Sequence, residues 1–202
     1  MESTENKIEK NIKRQRRGKL LFASDFALCG NTEAVFKALQ RLHKSGLIMR
    51  VAHGIYYYPK INKNKYIKSK YLLPSIDEIA DGIAKRDKIR IVPTSSYALN
   101  TLGLSTQVPA NAVFITDGAP RRIAVGKGKG ILFKHTSEAR NLAYKSRLLM
   151  LIVSALREIG EGKASVRQLE IIKLHLSNVS QKELNTDIQL MPLWVRKILL
   201  SL

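Results

Sequence analysis

One stretch constrains this chain more than any other. An amphipathic helical pattern runs from Thr32 to Ser45, Gly46 stops it, and two short apolar runs follow, Leu47–Val51 and Ile55–Tyr58, parted by "AHG". At about 100° per residue, Val35, Ala38, Leu39 and Leu42 share one side of the helix, with Phe36 and His43 at its margin. Glu33, Lys37, Gln40, Arg41 and Lys44 fall opposite, so the outer face is basic and carries an amide. Asn31 or Thr32 suits the N-cap, and a glycine just past the last turn is the usual C-terminal stop. A glycine in a short loop between two apolar runs marks a hairpin.

Upstream, "STENKIEKNIKRQRRG" places Ile8 and Ile12 at i,i+4 and predicts a helix ending at Gly18. "ASDFALCG" predicts a short helix entered at Ser24 and stopped by Gly30. Three helices followed by a two-stranded hairpin is the order of a winged helix-turn-helix.

Charge points the same way. The 202 residues hold 35 Lys and Arg against 16 Asp and Glu, a formal +19. A field of that size implies an anionic partner, nucleic acid first and an anionic membrane surface second. Residues 1–70 hold 16 of the basic residues and only 5 acidic ones. The longest apolar run, "LLMLIVSAL" (Leu148–Leu156), is shorter than the roughly 20 residues that span a bilayer. The charged N-terminus lacks the apolar core of a secretory signal. The single cysteine, Cys29, forms no intramolecular disulfide and reads as a small core residue. The expectation is a cytoplasmic protein without a membrane span.

A major groove about 12 Å wide accepts one helix, so the third helix is expected to be the reader. Lys37, Arg41 and Lys44 suit phosphates or guanine edges, and Gln40 suits adenine. Thr32 and the free N–H groups at the helix start suit a phosphate. Arg50 and His53 lie in the hairpin, which would rest along the backbone or in the minor groove. Lys13, Arg14, Arg16 and Arg17 in "KRQRRGK" would add sequence-independent phosphate contacts. "YYY" (Tyr56–Tyr58) reads as alternating core and rim of the hairpin.

Other chemistries have little support. His135 and His175 lack partners at metal spacing, so no metal site is expected. Ser95 and Ser96 lie outside any G-x-S-x-G elbow. "GKGKG" (Gly126–Gly130) does not end in Gly-Lys-Ser/Thr before a helix and reads as a basic turn. No pair of carboxylates stands with a lysine as in a nuclease, so neither catalytic residue nor cofactor is expected.

The lysine-rich, acid-free segment after Pro59 reads as a linker. This gives three parts: a winged helix-turn-helix over 1–60, a basic linker over 61–74, and an α+β domain over 75–202. In the last part "SIDE" (Ser75–Glu78) opens a helix through a capping box. "KIRIV", "AVFIT", "RRIAV" and "ILFKH" read as a small sheet with hairpin connections, the Asp117-Gly118 turn among them. "SSYALNTLG" reads as a short helix. From Ser137 onward the chain reads as helical, with capping boxes at Ser165–Gln168 and Ser180–Glu183 and Pro192 in the first turn of a final helix. The fold class expected is α+β: an N-terminal winged helix-turn-helix plus a C-terminal mixed domain with a small sheet and a helical tail.

"GLIMRVAHGIYYYPK", "IRIVPTSSYALNTLGLSTQVPANAVFITDGAPRRI" and "FKHTSEARNLA" resemble the AbiEi-like antitoxins of abortive-infection (type IV) toxin–antitoxin systems, over about residues 5–160. "YALNTLGLSTQVP" and "HTSEARNLA" are the more specific parts, since generic winged helices lack them. The resemblance implies a winged helix that represses its own operon at inverted repeats. It also implies a second domain concerned with counteracting a nucleotidyltransferase-like toxin, with direct toxin binding left open. The family's reading helix falls on Thr32–Lys44 and its wing on Arg50–Tyr58. Tyr97, Asn100, Gln107, Asp117, Arg121, His135, Arg140 and Asn141 match in the second domain, with no chemical role carried over. Arg121, Arg122 and Arg140 are candidates for a second anion-binding patch.

The function expected is a sequence-specific repressor of double-stranded DNA, binding as a dimer or as two copies on an inverted repeat, and the antitoxin of its operon. Two alternatives stay open: a nucleic-acid-processing enzyme delivered by the winged helix, and a module for an acidic protein or RNA.

Overall fold

The computed structural model describes residues 2–64, 66, 69–126 and 128–202, the side chain of Ser95 excepted. Lys65, Ile67 and Lys68 of the expected linker and Lys127 of the Gly-Lys turn lie outside the described residues.

Ser3 opens α1 (Thr4–Lys13) by accepting a hydrogen bond from the Asn6 amide at 3.2 Å, and Ile8 and Ile12 are wholly buried. The helix stops at Lys13, short of the expected Gly18. After Ile12 the run "KRQRRG" has no apolar side chain left to bury, and a helical turn without tertiary packing gains little. The chain turns through Gly18 (φ +96°) into a strand that residue patterning did not foresee, β1 (Leu20–Phe22). Three residues are too few to show a period.

A 3-10 segment, Ala23–Cys29, follows, with the Asp25 carboxylate accepting from the Phe22 amide at 2.9 Å. Its entry is therefore Phe22, not Ser24. Asn31 caps α2 (Thr32–Lys44), accepting from the Ala34 amide at 2.8 Å, and Val35, Ala38, Leu39 and Leu42 are buried as their spacing predicts. β2 (Met49–Ala52) and β3 (Ile55–Tyr57) form the hairpin, with a bulge between Arg50 and Ala52 and Gly54 at φ +68° in its turn. The three strands order β1-β3-β2, all antiparallel. This is a winged helix-turn-helix, built on a core of Ile8, Leu21, Phe26, Leu39, Ile48 and Tyr56. Cys29 is half-buried beside that core.

All three tyrosines are buried, not alternately core and rim. β3 is the central strand, and both its faces are covered. Tyr56 and Tyr58 join the helical core. On the other face Leu20, paired with Tyr57, abuts Gly82 of the later helix α3 so closely that a Cβ there would collide.

The expected linker is structured where described. β4 (Lys60–Ile61) pairs antiparallel with β5 (Tyr71–Leu72), and Lys60 Nζ lies 3.2 Å from Glu78. Then comes α3 (Ile76–Asp87), opened by the Ser75–Glu78 capping box. The chain divides into two compact units inside α3: Met1–Gly82 with Ile123–Lys127, and Ile83–Arg122 with Gly128–Leu202.

Next come β6 (Ile91–Thr94), α4 (Ser95–Thr101), β7 (Asn111–Thr116), β8 (Arg121–Val125) and β9 (Lys129–His135); all but Ile123–Val125 of β8 belong to the second unit. Strand order is β6-β7-β9-β8, with β6–β7 antiparallel and β7–β9 parallel. The hairpin expected at Asp117-Gly118 is thus a crossover: β8 passes to the edge and β9 fills the gap beside β7. Asp117 instead receives the Arg90 backbone amide at 2.8 Å and Nε at 2.9 Å.

Four helices complete this unit: α5 (Arg147–Ile159), α6 (Val166–Leu176), α7 (Gln181–Asp187) and α8 (Leu193–Ser201). α5 packs on α4 and β6 and buries Leu149, Ile152, Val153 and Leu156. The capping boxes at Ser165 and Ser180 are both formed, and Pro192 is the N-cap of α8. The fold is α+β, with small sheets and a helical C-terminal tail.

Candidate nucleic-acid interface

The capped start of α2 and the turn of the hairpin lie at the same end of the winged helix, because Phe22, which leads into the 3-10 segment before α2, pairs with Ile55 beside the turn. Between them is an open cleft of about 160 Å³ lined by Glu33, Phe36, Lys37 and Gln40 of α2 and by Arg50, His53, Gly54 and Tyr56 of the wing. Four expected contact residues, Lys37, Gln40, Arg50 and His53, therefore meet around one concave surface. Thr32 opens the same helix and is exposed. The Asn31 side chain accepts from the Ala34 amide, and among the described residues no acceptor is seen for the N–H groups of Thr32 and Glu33 at the helix end.

Two of the cations on this helix, Lys37 and Arg41, are held by carboxylates. Lys37 Nζ sits 2.6 Å from Glu33 one turn earlier, and Arg41 Nη1 lies 3.1 Å from Glu5 of α1. Both cations are about two-thirds exposed. Exposed pairs of this kind contribute about 0.2–1 kcal/mol, so an incoming phosphate can displace them. Arg41 faces the α1 flank, and Lys44 is exposed at the far end of the helix. Helical angle alone put Phe36 at the margin of the core. In the fold it is 38% exposed and lines the cleft, where an apolar ring can meet a thymine methyl.

The "KRQRRGK" run is elsewhere. Leu20 pairs with Tyr57, the Gly18 amide donates to the Tyr58 carbonyl at 2.7 Å, and the Tyr58 amide donates to Lys19 at 2.9 Å. These residues lie beyond the end of the sheet opposite the hairpin turn. Lys13 pairs with Glu9 at 2.6 Å, whereas Arg14 and Arg16 are exposed. Arg17 is engaged in the fold: its guanidinium sits over the Tyr58 ring and donates to the Pro59 carbonyl.

Arg121 and Arg140 of the suggested second anion patch are engaged by other parts of the fold. Arg121 pairs with Asp87 and stacks 5.4 Å from the centre of the Phe133 ring. The Arg86 side chain first and Arg121 second hold the Asp87 carboxyl below its usual range. Arg140 donates to the carbonyls of Gln189 and Leu190, at the end of a short 3-10 turn. Two of the three cations are thus spent inside the fold, leaving Arg122 exposed.

The other matched positions also serve structure. Tyr97 tilts against Phe114, Asn100 donates to the Ser105 carbonyl at 3.4 Å, and the Gln107 backbone amide donates to Ser105 Oγ. His135 Nδ1–H donates to Gly118, and Asn141 Oδ1 accepts from Arg157 at 2.8 Å. His175 Nε2–H donates to the Leu102 carbonyl. Among the described residues no three His, Cys, Asp or Glu side chains are grouped to hold a metal ion, and no helix is long and apolar enough to cross a membrane.

No curated protein and no solved structure matches the chain. One family profile does, over residues 7–188, which takes in the winged helix, the mixed sheet and α5–α7. The chain belongs to that family, DUF6088, a family of unknown function.

Proposed function

We propose that the N-terminal unit binds double-stranded DNA sequence-specifically, and that the chain is a transcriptional repressor acting in the cytoplasm. The observation that carries this reading is the cleft in which Lys37 and Gln40 of α2 face Arg50 and His53 of the wing. A helix start with two free N–H groups, an amide and cations on the outer face, and a wing at the same end are the parts that a major-groove reader needs. The formal +19 supplies sequence-independent attraction to phosphate.

One such helix makes few base contacts, and a mismatch costs about 1–3 kcal/mol per base pair. Binding as two copies on an inverted repeat supplies the missing discrimination. The resemblance to AbiEi-like antitoxins extends the reading: the repressed operon is the chain's own, and its neighbour encodes a nucleotidyltransferase-like toxin that this chain counteracts.

The test is selection of a preferred duplex from a random pool, followed by titration of wild type and Lys37→Ala/Gln40→Ala against the selected and a scrambled duplex. Each lost base contact is worth about 1–3 kcal/mol, so the selected site should lose at least five-fold more affinity than the scrambled one. Equal losses on both would reduce these residues to phosphate contacts. Absence of any preferred sequence would overturn the reading.

A further inference from the structure

The fold separates the basic residues of the N-terminal unit into two groups. One surrounds the helix–wing cleft. The other is brought together by the chain's return past its own beginning: Arg17 donates to Pro59, Gly18 to Tyr58, and Gly18 packs against the Lys60 side chain. This joins the loop 14–19 to the base of the β4–β5 ribbon, which the amide of Asn62 closes against Lys70 and its side chain against Ser69, both at 2.9 Å. Arg14, Arg16, Lys19, Lys63 and Lys70 are all exposed there. Among the described residues, none of the five pairs with a carboxylate. The carboxylate pairs at this end are made by their neighbours, Lys13 with Glu9 and Lys60 with Glu78.

The register sets the distance between the groups. Ile55 stands beside the wing turn, and Tyr58 at the opposite end of the sheet, three extended residues or about 10 Å along the strand. The loop and ribbon lie farther out still. A duplex seated against the start of α2 and the wing turn meets one end of the unit, and the five exposed cations project from the other. Like charges gathered with few counter-charges raise the unfolded state's advantage unless an anion is supplied, and a phosphate backbone supplies one in a row.

We propose that this opposite end is a second, sequence-independent binding face for duplex DNA, so that one chain holds two separate duplex segments. The proposal stands apart from the helix–wing reading, and the two fail separately. Arg17 and Gly18 position the loop, while Arg14, Arg16, Lys19 and Lys63 make the contacts.

The experiment immobilises the selected duplex, loads the full chain on it, and measures retention of a labelled 30-base-pair random duplex. Wild type is expected to retain the second duplex, and raised salt to release it. The variant Arg14→Gln/Arg16→Gln/Lys19→Gln/Lys63→Gln should lose at least ten-fold in retention while its affinity for a short selected duplex stays within about three-fold. A control removing four exposed cations of the second unit (Arg122, Lys134, Lys163 and Lys182, each to Gln) should keep retention within about three-fold. Overturning results are no retention by wild type, equal loss in variant and control, or a matching loss on the short duplex. Retention through the spare cleft of a second copy would survive in the variant and so also overturns the proposal. Direct titration of random duplex with the Lys37→Ala/Gln40→Ala chain reads the second face even if that cleft proves not to read sequence.

Discussion

The guanidinium of Arg17 lies 4.6 Å from the centre of the Tyr58 ring. Tyr58 is itself buried, and Nη1 of the same arginine donates to Pro59 at 3.0 Å. One of the most basic stretches of the chain thus contains a residue that ties the end of β3 to the loop before β1. Arg17→Ala should lower stability by about 1–2 kcal/mol, from the lost cation–π contact and hydrogen bond together. Thermal unfolding checks it. Arg16→Ala, one residue away and exposed, should leave the melting temperature almost unchanged.

Glu33 occupies Lys37 of the proposed DNA face, and Glu5 occupies Arg41 on the flank of the same helix. Glu5→Gln frees Arg41, and removing one negative charge near the reader helix favours phosphate. Affinity for the selected duplex at low salt should rise about two- to five-fold, and the gain should shrink as salt screens it. Filter binding at several ionic strengths measures this. Unchanged affinity would place Arg41 outside the contact surface.

Asp187 is wholly buried at the end of α7 and accepts hydrogen bonds from the amides of Lys145 and Ser146, the latter at 2.8 Å. Those amides precede α5, the central helix of the second unit. Asp187→Ala strands the buried Ser146 donor and the half-buried Lys145 donor, each charge-assisted bond being worth about 1.5–3 kcal/mol, and should lower stability by about 3 kcal/mol. Asp187→Asn keeps one acceptor oxygen and should cost less. Denaturant titration distinguishes the two.

Asp87 and Asp117 are both held below the ordinary aspartate range, Asp87 by Arg86 and then Arg121, Asp117 by Arg90. A carboxylate with a depressed folded value contributes stability that is fully present above the unfolded value of about 3.9 and is lost as pH falls through the folded one. Acid unfolding should therefore steepen below about pH 4. Asp87→Asn should flatten that limb more than Asp117→Asn, because Asp117 is the more exposed of the two. Melting temperature against pH reads both.

Helices with caps and a buried stripe were legible in the sequence. Ser75, Ser165 and Ser180 each cap within their own few residues, Asn31 was one of two caps offered for α2, and α2 buries the four residues that its spacing picked out. What local pattern does not carry is pairing at a distance. β1 is three residues long and exists because β3 lies beside it, and the β7–β9 parallel pair is invisible to a reading that joins neighbours by hairpins. The same limit applies to the site. Lys37, Gln40, Arg50 and His53 were each visible as polar positions, and the fold gathers them. The separation of "KRQRRGK" from that surface follows from the register of Leu20 with Tyr57, which no local window contains. Arg121 and Arg140 were legible as cations, and their partners Asp87 and Leu190 stand 34 and 50 residues away.

The crossover in the second sheet also has a temporal side. β8 is synthesised before β9 yet sits outside it, so when Val125 leaves the ribosome β7 still has no neighbour on one side and β8 has nothing to join. Only emergence of Ile131 and Phe133 lets the two be zipped together. A nascent chain paused in the glycine–lysine turn would therefore present a bare β7 edge, open to pairing with another chain until β9 emerges.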